Sequence, residues 1–290
     1  MTQFNGEKTL LYVHGTTQAA SSTFDLPLDG LSWMDYIARR GYDVYLVDLR
    51  GYGHSTRPPE MEKPAAENQP IVRTDVAVKD VAATVDHILA RRGLTKLNLI
   101  GWSWGTTTTG RYAAENSDKV NRLVLYAPAW ISEAPAGTQP ALGAYQTWTM
   151  EQARSRLQDG TPEEKKKDLM PAAWFEAWSA AALATDPVGA KQTPPVVRTP
   201  TGTVQDTREY WFARKPLWEP SEIKAPTLIV VGEWDGLIQV SWAVFDRLTN
   251  TAYKRLVQIG QGTHLVFLEK NRIHLFREVQ LFLDEPRSAN

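Results

Sequence analysis

The chain has 290 residues, and its 32 basic residues nearly balance its 33 acidic ones, so its formal net charge is −1. This length corresponds to one large domain, or to one domain that carries an insertion. Hydrophobic residues make up 42% and charged residues 22%, which excludes a disordered chain, a collagen-like repeat and a coiled coil. The near-neutral balance also argues against nucleic acid as a partner, because phosphate binding requires clustered lysine and arginine.

Cysteine is absent, which excludes disulfides, thiolate zinc sites and a cysteine nucleophile. The lack of disulfides is typical of a cytoplasmic protein, and this is the location that we predict. No apolar run reaches the roughly 18 residues of a membrane span, and residues 1–8 contain no apolar signal core. The histidines lack paired metal-ligand spacing and no glycine-rich loop fits a phosphate or dinucleotide, so we expect neither a metal nor a cofactor.

Short β-rich runs alternate with helical stretches along most of the chain. Strands are predicted over residues 9–13, 44–47, 97–100, 123–126, 228–231 and 254–259. Helices are predicted over residues 31–40, 75–92 and 104–115, with Thr74 as a cap and with Gly41 and Gly93 ending the first two. This alternation predicts an α/β fold, a mostly parallel sheet with helices on both faces that binds ligands at the carboxyl ends of its strands.

The alternation stops between about Trp130 and Lys215, and the strand pattern resumes at Thr227. The intervening segment contains eight prolines, predicted helices near 142–158 and 172–183, and no convincing buried strand. We interpret it as a mainly helical lid inserted between two core strands. The predicted parts are therefore residues 1–129 (core, first part), 130–215 (lid) and 216–290 (core, second part).

The strand at 97–100 runs directly into Gly101-Trp102-Ser103-Trp104-Gly105, and a predicted helix follows. This is a Gly-x-Ser-x-Gly pattern in a strand–turn–helix context. A turn this tight holds the serine in a strained backbone conformation, and the flanking glycines remove Cβ atoms that would clash. The hydroxyl would stand near a helix N-terminus, which favours developing negative charge. We predict that Ser103 is a catalytic nucleophile; the alternative is a glycine-rich structural turn.

Together with further motifs, this pattern resembles the α/β-hydrolase superfamily, in its lid-bearing esterase and epoxide-hydrolase-like branch. These motifs are His14-Gly15, residues 48–55, Gly232-Glu233-Trp234-Asp235 and Gly262-Thr263-His264. Their order and spacing cover nearly the whole chain except the lid. The resemblance implies the α/β-hydrolase fold, with the lid inserted after the sixth core strand. Only thirteen residues precede His14, where members usually carry two further strands, which indicates a trimmed sheet edge or an N-terminally shortened chain.

A serine hydroxyl needs a base to take its proton, and the base needs an orienting carboxylate. In this fold the chain order is serine, acid, histidine. Asp235 lies just past the strand at 228–231, and His264 follows the strand at 254–259. Both positions match the family pattern, so we predict Asp235 as the acid and His264 as the base.

Other residues compete for these roles. Glu233 shares the loop of Asp235, and Glu133 follows a strand after which some branches of the family carry the acid. His87 and His274 lie in predicted helices and are expected to be packing or surface residues. The motif at 48–55 resembles a structural turn, so Asp48 and His54 are expected to form it.

By the same resemblance, the backbone N–H groups of Thr16 and Trp104 would hold the oxyanion of the tetrahedral intermediate. His14 is then expected to organise its loop. Thr16-Thr17 replaces the Gly-Gly-Gly-Pro type stretch of carbon–carbon bond hydrolases and proline iminopeptidases, and Trp102 replaces the asparagine usual in the former group. Both differences from these family motifs disfavour those two activities, and neither argues against simple ester hydrolysis.

Tryptophan is concentrated near the site, because six of the eleven lie between residues 130 and 218. We predict that Trp102, Trp130 and Trp234 line an aromatic pocket that favours an apolar or aromatic substrate. The alternative is that these side chains only fill the core. No cluster of cations in the lid indicates a strongly anionic substrate.

These observations predict a serine hydrolase that cleaves a carboxylic ester of a small apolar or aromatic molecule through an acyl-enzyme. Ser103 disfavours dehalogenase and epoxide hydrolase chemistry, which needs an aspartate at this position. An amidase, a lactonase or a carbon–carbon bond hydrolase with the same triad is an alternative, as is a slow-turnover small-molecule receptor of the same fold. The predicted partner is in each case a small molecule.

Overall fold

A computed structural model of the chain describes residues 5–134, 137 and 139–286. Its strands are β1 (Thr9–Val13), β2 (Asp43–Val47), β3 (Leu97–Trp102), β4 (Val120–Tyr126), β5 (Tyr145–Thr149), β6 (Val196–Pro200), β7 (Thr227–Gly232) and β8 (Lys254–Ile259). Its α-helices are α1 (Trp33–Ala38), α2 (Thr74–Arg92), α3 (Trp104–Glu115), α4 (Met150–Leu157), α5 (Lys166–Leu169), α6 (Ala172–Ala184), α7 (Gly202–Asp206), α8 (Ile238–Arg247) and α9 (Arg272–Asp284).

Six strands form one parallel sheet in the order β2-β1-β3-β4-β7-β8. Every residue of β1, β3, β4 and β7 is buried, because helices cover both faces of the sheet. The strand order reverses between β1 and β3, where the chain first moves outward to β2 and then returns. Such a switch point leaves a crevice at the carboxyl ends of the two strands, where ligands bind in folds of this type.

The two faces of the sheet pack two separate hydrophobic cores. One core contains residues of α1 and α9, among them Trp33 and Phe276, whose rings stack 5.2 Å apart. The other contains residues of α2, α3 and α8, among them Val81 and Tyr112. The predicted α/β fold is therefore confirmed, with helices on both sides of a parallel sheet.

The predicted helix ends are confirmed in part. Ser32 and Asp35 form a capping box at the start of α1, and Gly93 ends α2 in the left-handed region at φ +65°. The prediction that Thr74 caps α2 was wrong, because Thr74 is the first helical residue. Its backbone N–H donates instead to the carboxylate of Asp206, at 2.7 Å, so the cap comes from a distant part of the chain.

The segment between β4 and β7 contains β5, α4, α5, α6, β6, α7 and a π-helical turn at Thr207–Trp211. The helix predicted near 172–183 is confirmed as α6. The expectation that the segment contains no buried strand was wrong, since β5 and β6 pair antiparallel and β6 is largely buried. The helix predicted near 142–158 begins only at Met150. We call residues 130–215 the inserted segment; its role as a lid stays a prediction, and residues 135, 136 and 138 lie outside the described residues.

A buried ion pair holds the inserted segment together. The carboxylate of Asp186 accepts hydrogen bonds from Arg198 Nη2 at 2.7 Å and from Arg198 Nε at 3.0 Å. Both side chains are almost fully buried. Burial raises the pKa of Asp186, but the hydrogen bonds and charge of Arg198 outweigh this effect and lower the pKa overall. The remaining nitrogen, Arg198 Nη1, donates to the carbonyl of Met61 at 2.7 Å, which links the pair to the residues before α2.

Backbone contacts join the inserted segment to the same stretch before α2. Ala144 N–H donates to the carbonyl of Ala65 at 2.9 Å, and Gly202 N–H donates to the carbonyl of Ile71 at 2.8 Å. These two donors lie just before β5 and just after β6, at the same end of the antiparallel pair, so this end is fixed. In the described ranges, none of the helices has the length and apolar character needed to cross a lipid bilayer.

Replacing Asp186 by alanine should lower the free energy of unfolding by about 3–5 kcal/mol, because the Arg198 charge would stay buried without its partner. Glu133→Ala is the control, since it removes an exposed ion pair with Arg214 and should cost about 0–1 kcal/mol. Urea unfolding followed by tryptophan fluorescence measures both. Equal effects of the two substitutions would contradict this account of the buried pair.

Candidate active site

Ser103 lies between the end of β3 and the start of α3, with φ +55° and ψ −123°. This left-handed backbone costs a residue with a side chain about 1–3 kcal/mol, and it persists only where its surroundings enforce it. A Cβ on Gly101 would lie 2.4 Å from the carbonyl oxygen of Gly105, and one on Gly105 would lie 2.4 Å from that of Val13. Glycine is therefore required on both sides of the serine, as the sequence predicts.

His264 and Asp235 meet at the same edge of the sheet. His264 Nδ1 lies 2.9 Å from Asp235 Oδ2, and Asp235 Oδ1 accepts a hydrogen bond from the backbone N–H of Leu237 at 2.9 Å. An ionised carboxylate can only accept, so this contact places the ring proton of His264 on Nδ1. The other ring nitrogen, Nε2, is then left with the lone pair that a general base needs.

The backbone of His264 is held by two core side chains. Its carbonyl oxygen accepts hydrogen bonds from Trp102 Nε1 at 3.1 Å and from the Tyr126 hydroxyl at 2.9 Å. The same hydroxyl accepts the backbone N–H of Val266 at 2.9 Å. Sequence reasoning missed Tyr126. The available signal was a tyrosine, with its polar hydroxyl, at the end of a buried strand.

Ser103 and His264 line two adjoining cavities. The inner cavity is narrow and largely enclosed, and the outer one is wider and open to solvent. Asp235 lines the outer cavity as well. Within the described part of the chain the Ser103 hydroxyl makes no hydrogen bond, either to His264 Nε2 or to any other group. Such bonds are often unformed when no substrate is bound.

The predicted oxyanion donors are the backbone N–H groups of Thr16 and Trp104. Trp104 N–H belongs to the first turn of α3, and Thr16 lines both cavities. Neither N–H donates to another group within the described residues. A Cβ on Gly15 would lie 2.9 Å from Ser103 Cβ, so the loop that carries Thr16 runs directly beside the serine. The two residues expected to form the oxyanion hole thus flank Ser103.

His14 fixes the loop after β1. Its Nδ1 lies 2.6 Å from the carbonyl oxygen of Gly15, and its Nε2 accepts the backbone N–H of Leu49 at 3.0 Å. Complete burial lowers the pKa of His14, although the nearby Asp48 carboxylate opposes the shift, so the ring stays neutral. This arrangement is that of a loop-organising residue.

The competing residues are occupied elsewhere. Glu233 accepts the backbone N–H of Gln261 at 2.7 Å, Glu133 is exposed and pairs with Arg214, and Asp48 accepts the backbone N–H of His54 at 2.9 Å. His87 belongs to α2 and His274 to α9. None of these side chains lines either cavity beside Ser103 in the part of the chain described.

The aromatic wall contains one of the three predicted tryptophans and two that were not predicted. Trp102 lines the inner cavity as expected, and it is joined there by Trp148 and Trp178. Trp130 does not reach either cavity, because it is buried in the core, where its indole N–H donates to the carbonyl of Trp218. Trp234 faces a separate surface depression beside Leu169 and Lys270. The expected pocket roles of Trp130 and Trp234 were wrong, since adjacency to Asp235 in the chain does not set the direction of a side chain.

Buried Glu269 braces the residue before the histidine. Its carboxylate accepts the backbone N–H of Thr263 at 3.1 Å and also bonds the Thr263 hydroxyl. Burial raises the pKa of Glu269 to about 7; the Asp235 charge adds to this shift and the Thr263 hydrogen bonds oppose it. Sequence reasoning missed this residue. No group of three or more His, Asp or Glu side chains in the described ranges is arranged to hold a metal ion.

Residues 8–271 match the family model for the alpha/beta hydrolase fold. The chain belongs to this family. As an α/β-hydrolase it can be compared with curated relatives, among them a probable lipase of Schizosaccharomyces pombe, 37% identical over 100 residues. That match covers 33% of this chain and 22% of the yeast protein. The chain thus spans about a fifth of the length of this relative.

Solved structures resemble this α/β-hydrolase over almost its whole length. An esterase from Exiguobacterium antarcticum has a TM-score of 0.62 and 15% identity, with 97% of this chain and 94% of that chain covered. A monoacylglycerol lipase from Paleococcus ferrophilus has a TM-score of 0.60 and 19% identity, with 96% and 95% covered. At these identities the likeness shows the fold alone.

Glu269→Gln should change how stability depends on pH. In the folded protein the pKa of Glu269 is about 7, above the value of 4.5 for a free side chain, so its proton is held more tightly in the folded state. The stabilisation is fully present below about pH 4.5 and is lost as pH rises through 7. Relative to Glu269→Gln, the wild type should therefore lose on the order of 3 kcal/mol between these limits.

Urea unfolding at pH 5, 6, 7 and 8 measures this difference. The exposed Glu62→Gln is the matched control, and its stability should follow that of the wild type at every pH. Parallel curves for the wild type and Glu269→Gln would show that Glu269 does not titrate in this range.

Proposed function

We propose that this α/β-hydrolase is a serine hydrolase that cleaves a carboxylic ester of a small apolar or aromatic molecule through an acyl-enzyme. One observation carries the proposal. Ser103, in a strained strand-to-helix turn, lines the same cavities as His264, whose Nδ1 is bonded to Asp235. Nucleophile, base and orienting acid are thus brought to one edge of the sheet in the roles that acyl transfer requires.

In the first half of the reaction, His264 Nε2 takes the proton of the Ser103 hydroxyl, and the oxygen attacks the ester carbonyl carbon. The carbonyl oxygen becomes negatively charged, and the free N–H groups of Thr16 and Trp104 donate to it. The N-terminus of α3 adds a favourable partial positive charge. Asp235 stabilises the imidazolium without taking its proton.

In the second half, the tetrahedral intermediate collapses and His264 gives its proton to the departing alcohol oxygen. The acyl group then stays on Ser103 as an ester. A water molecule transfers a proton to His264 and attacks this ester, and the return of the proton to Ser103 releases the carboxylic acid. The enzyme ends in its starting protonation state.

The walls of the inner cavity support the choice of substrate. Apart from the catalytic edge they consist mainly of aromatic and aliphatic side chains, among them Trp148, Met150, Leu157 and Trp178. Aromatic rings bury large apolar areas and favour planar or branched apolar groups. The curated relative named as a probable lipase further favours an ester over other carbonyl compounds.

Ser103→Ala should lower hydrolysis of p-nitrophenyl esters on the order of 10³-fold or more, because the members of a triad act as a unit. A series of rising acyl length, measured by release of p-nitrophenol, tests this. Ser155→Ala, on the exposed face of α4, is the control and should keep wild-type rates. Fluorophosphonate labelling followed by peptide mass analysis should modify Ser103; wild-type activity in Ser103→Ala would refute the proposal.

Asp235→Asn should lower kcat about 10⁴-fold with little change in KM, because an amide can donate to Nδ1 and so favours the ring tautomer that lacks a free Nε2 lone pair. Glu233→Gln is the matched control in the same loop and should leave kcat within a few-fold. Steady-state kinetics with one p-nitrophenyl ester measures both. A larger loss in Glu233→Gln would assign the acid to that residue instead.

A further inference from the structure

Arg156 on α4 lines both the inner and the outer cavity. Apart from the catalytic histidine, it is the one ionisable residue among the described residues that line the inner cavity. Its neighbours there are mainly apolar, among them Met150, Ala153 and Leu157. A cation in such surroundings loses hydration and needs a partner.

The guanidinium of Arg156 has no such partner in the protein. It makes no ion pair or hydrogen bond with another residue in the described ranges, and its contact is with the face of Trp148, 5.1 Å from the ring centroid. Burial lowers the pKa of Arg156 and the Asp159 carboxylate opposes the shift, but a guanidinium stays protonated at neutral pH. At the cavity wall its donors therefore have no hydrogen-bond acceptor among the described residues.

Other charged groups face the outer cavity. Arg208 lines it and uses one nitrogen to donate to the carbonyl of Pro140 at 2.6 Å. Asp159 lines it too, but is exposed and lies beyond ion-pair distance of Arg156. The remaining carboxylate, Asp235, is already bonded to His264 and Leu237. Among the described residues, the outer cavity thus carries two arginines and two carboxylates, whereas Arg156 is the one permanently charged residue that lines the inner cavity.

We propose that Arg156 binds an anionic group of the substrate, so that the preferred ester carries a carboxylate on an otherwise apolar or aromatic body. The inference rests on the proposed ester hydrolysis and names its substrate class. A planar guanidinium can bind a carboxylate through two parallel hydrogen bonds, and Trp148 beneath it would hold the plane in place. The apolar walls would receive the rest of the molecule.

Two matched pairs of esters test the proposal. The first pair compares the p-nitrophenyl monoester of suberic acid with p-nitrophenyl octanoate, which places the carboxylate on the acyl side. The second compares 4-acetoxybenzoate with its methyl ester, which places it on the alcohol side. For each pair, the selectivity is kcat/KM for the anionic ester divided by that for the neutral one, so intrinsic reactivity cancels between enzyme variants.

Arg156→Gln should lower this selectivity about 10- to 100-fold in at least one pair, because a charge-assisted hydrogen bond is lost. Arg156→Lys keeps the charge without the planar fork and should give an intermediate value. Arg154→Gln is the matched control, since Arg154 lies on the exposed side of the same helix over Phe175 and should keep wild-type selectivity. An equal loss for both members of each pair would overturn the proposal.

A binding measurement separates this inference from the proposed function. Calorimetric titration of Ser103→Ala with suberate and with 4-hydroxybenzoate needs no turnover. At least one of the two should bind, and the added Arg156→Gln substitution should weaken that binding by a similar 10- to 100-fold. If no ester is hydrolysed, the proposed function fails, while this titration still decides the role of Arg156. Equal affinity with and without Arg156, or no binding of either carboxylate, would refute that role.

Discussion

The backbone of Ser103 is the constraint on which the rest of the site depends. Its left-handed conformation is enforced by close packing, because the glycines at 101 and 105 leave no room for a Cβ against α3 and β1. The turn cannot relax unless one of these elements moves. A residue held in this way presents its hydroxyl at the strand switch point, beside the unpaired N–H groups of Thr16 and Trp104. The strained backbone of Ser103 therefore persists because the sheet and the helix around it are rigid.

Parallel strands bring the other parts of the site to the same edge. Trp102 ends β3 and Tyr126 ends β4, and both side chains hold the carbonyl group of His264. Core residues thus fix the backbone of the histidine, while its ring is bonded to Asp235 on one side and packs against the ring of Trp102. In the proposed mechanism, a base held in this way would serve first the serine and later the departing alcohol through its free nitrogen. Glu269 adds a third restraint, one residue earlier along the loop.

Features set by local sterics or by burial on both faces could be predicted from the sequence. The strands β1, β3, β4 and β7 appear as mainly apolar runs, and the turn at Ser103 requires its glycines. The pairing of β5 with β6 could not be predicted, because paired residues such as Trp148 and Val197 are separated along the chain by much of the inserted segment. Nor could the role of Arg156 be separated from that of Arg154, since only the packing of α4 decides which of them faces the cavity. Trp130 and Trp234 were predicted as pocket residues for the same reason, because only packing decides which way their side chains face.

The attachment of the inserted segment also limits how a substrate or a product can reach or leave the cavities beside Ser103. Main-chain hydrogen bonds at Ala144 and Gly202 tether one end of the β5–β6 pair, so swinging the whole segment outward would break them together with the Asp186–Arg198–Met61 connection. Helix α4 is tied less firmly, as Leu157 is its one buried residue within the described chain. Entry of substrate and departure of product would then depend on local opening of this short helix. Because Arg156 lies on α4, its positive charge would move together with the helix.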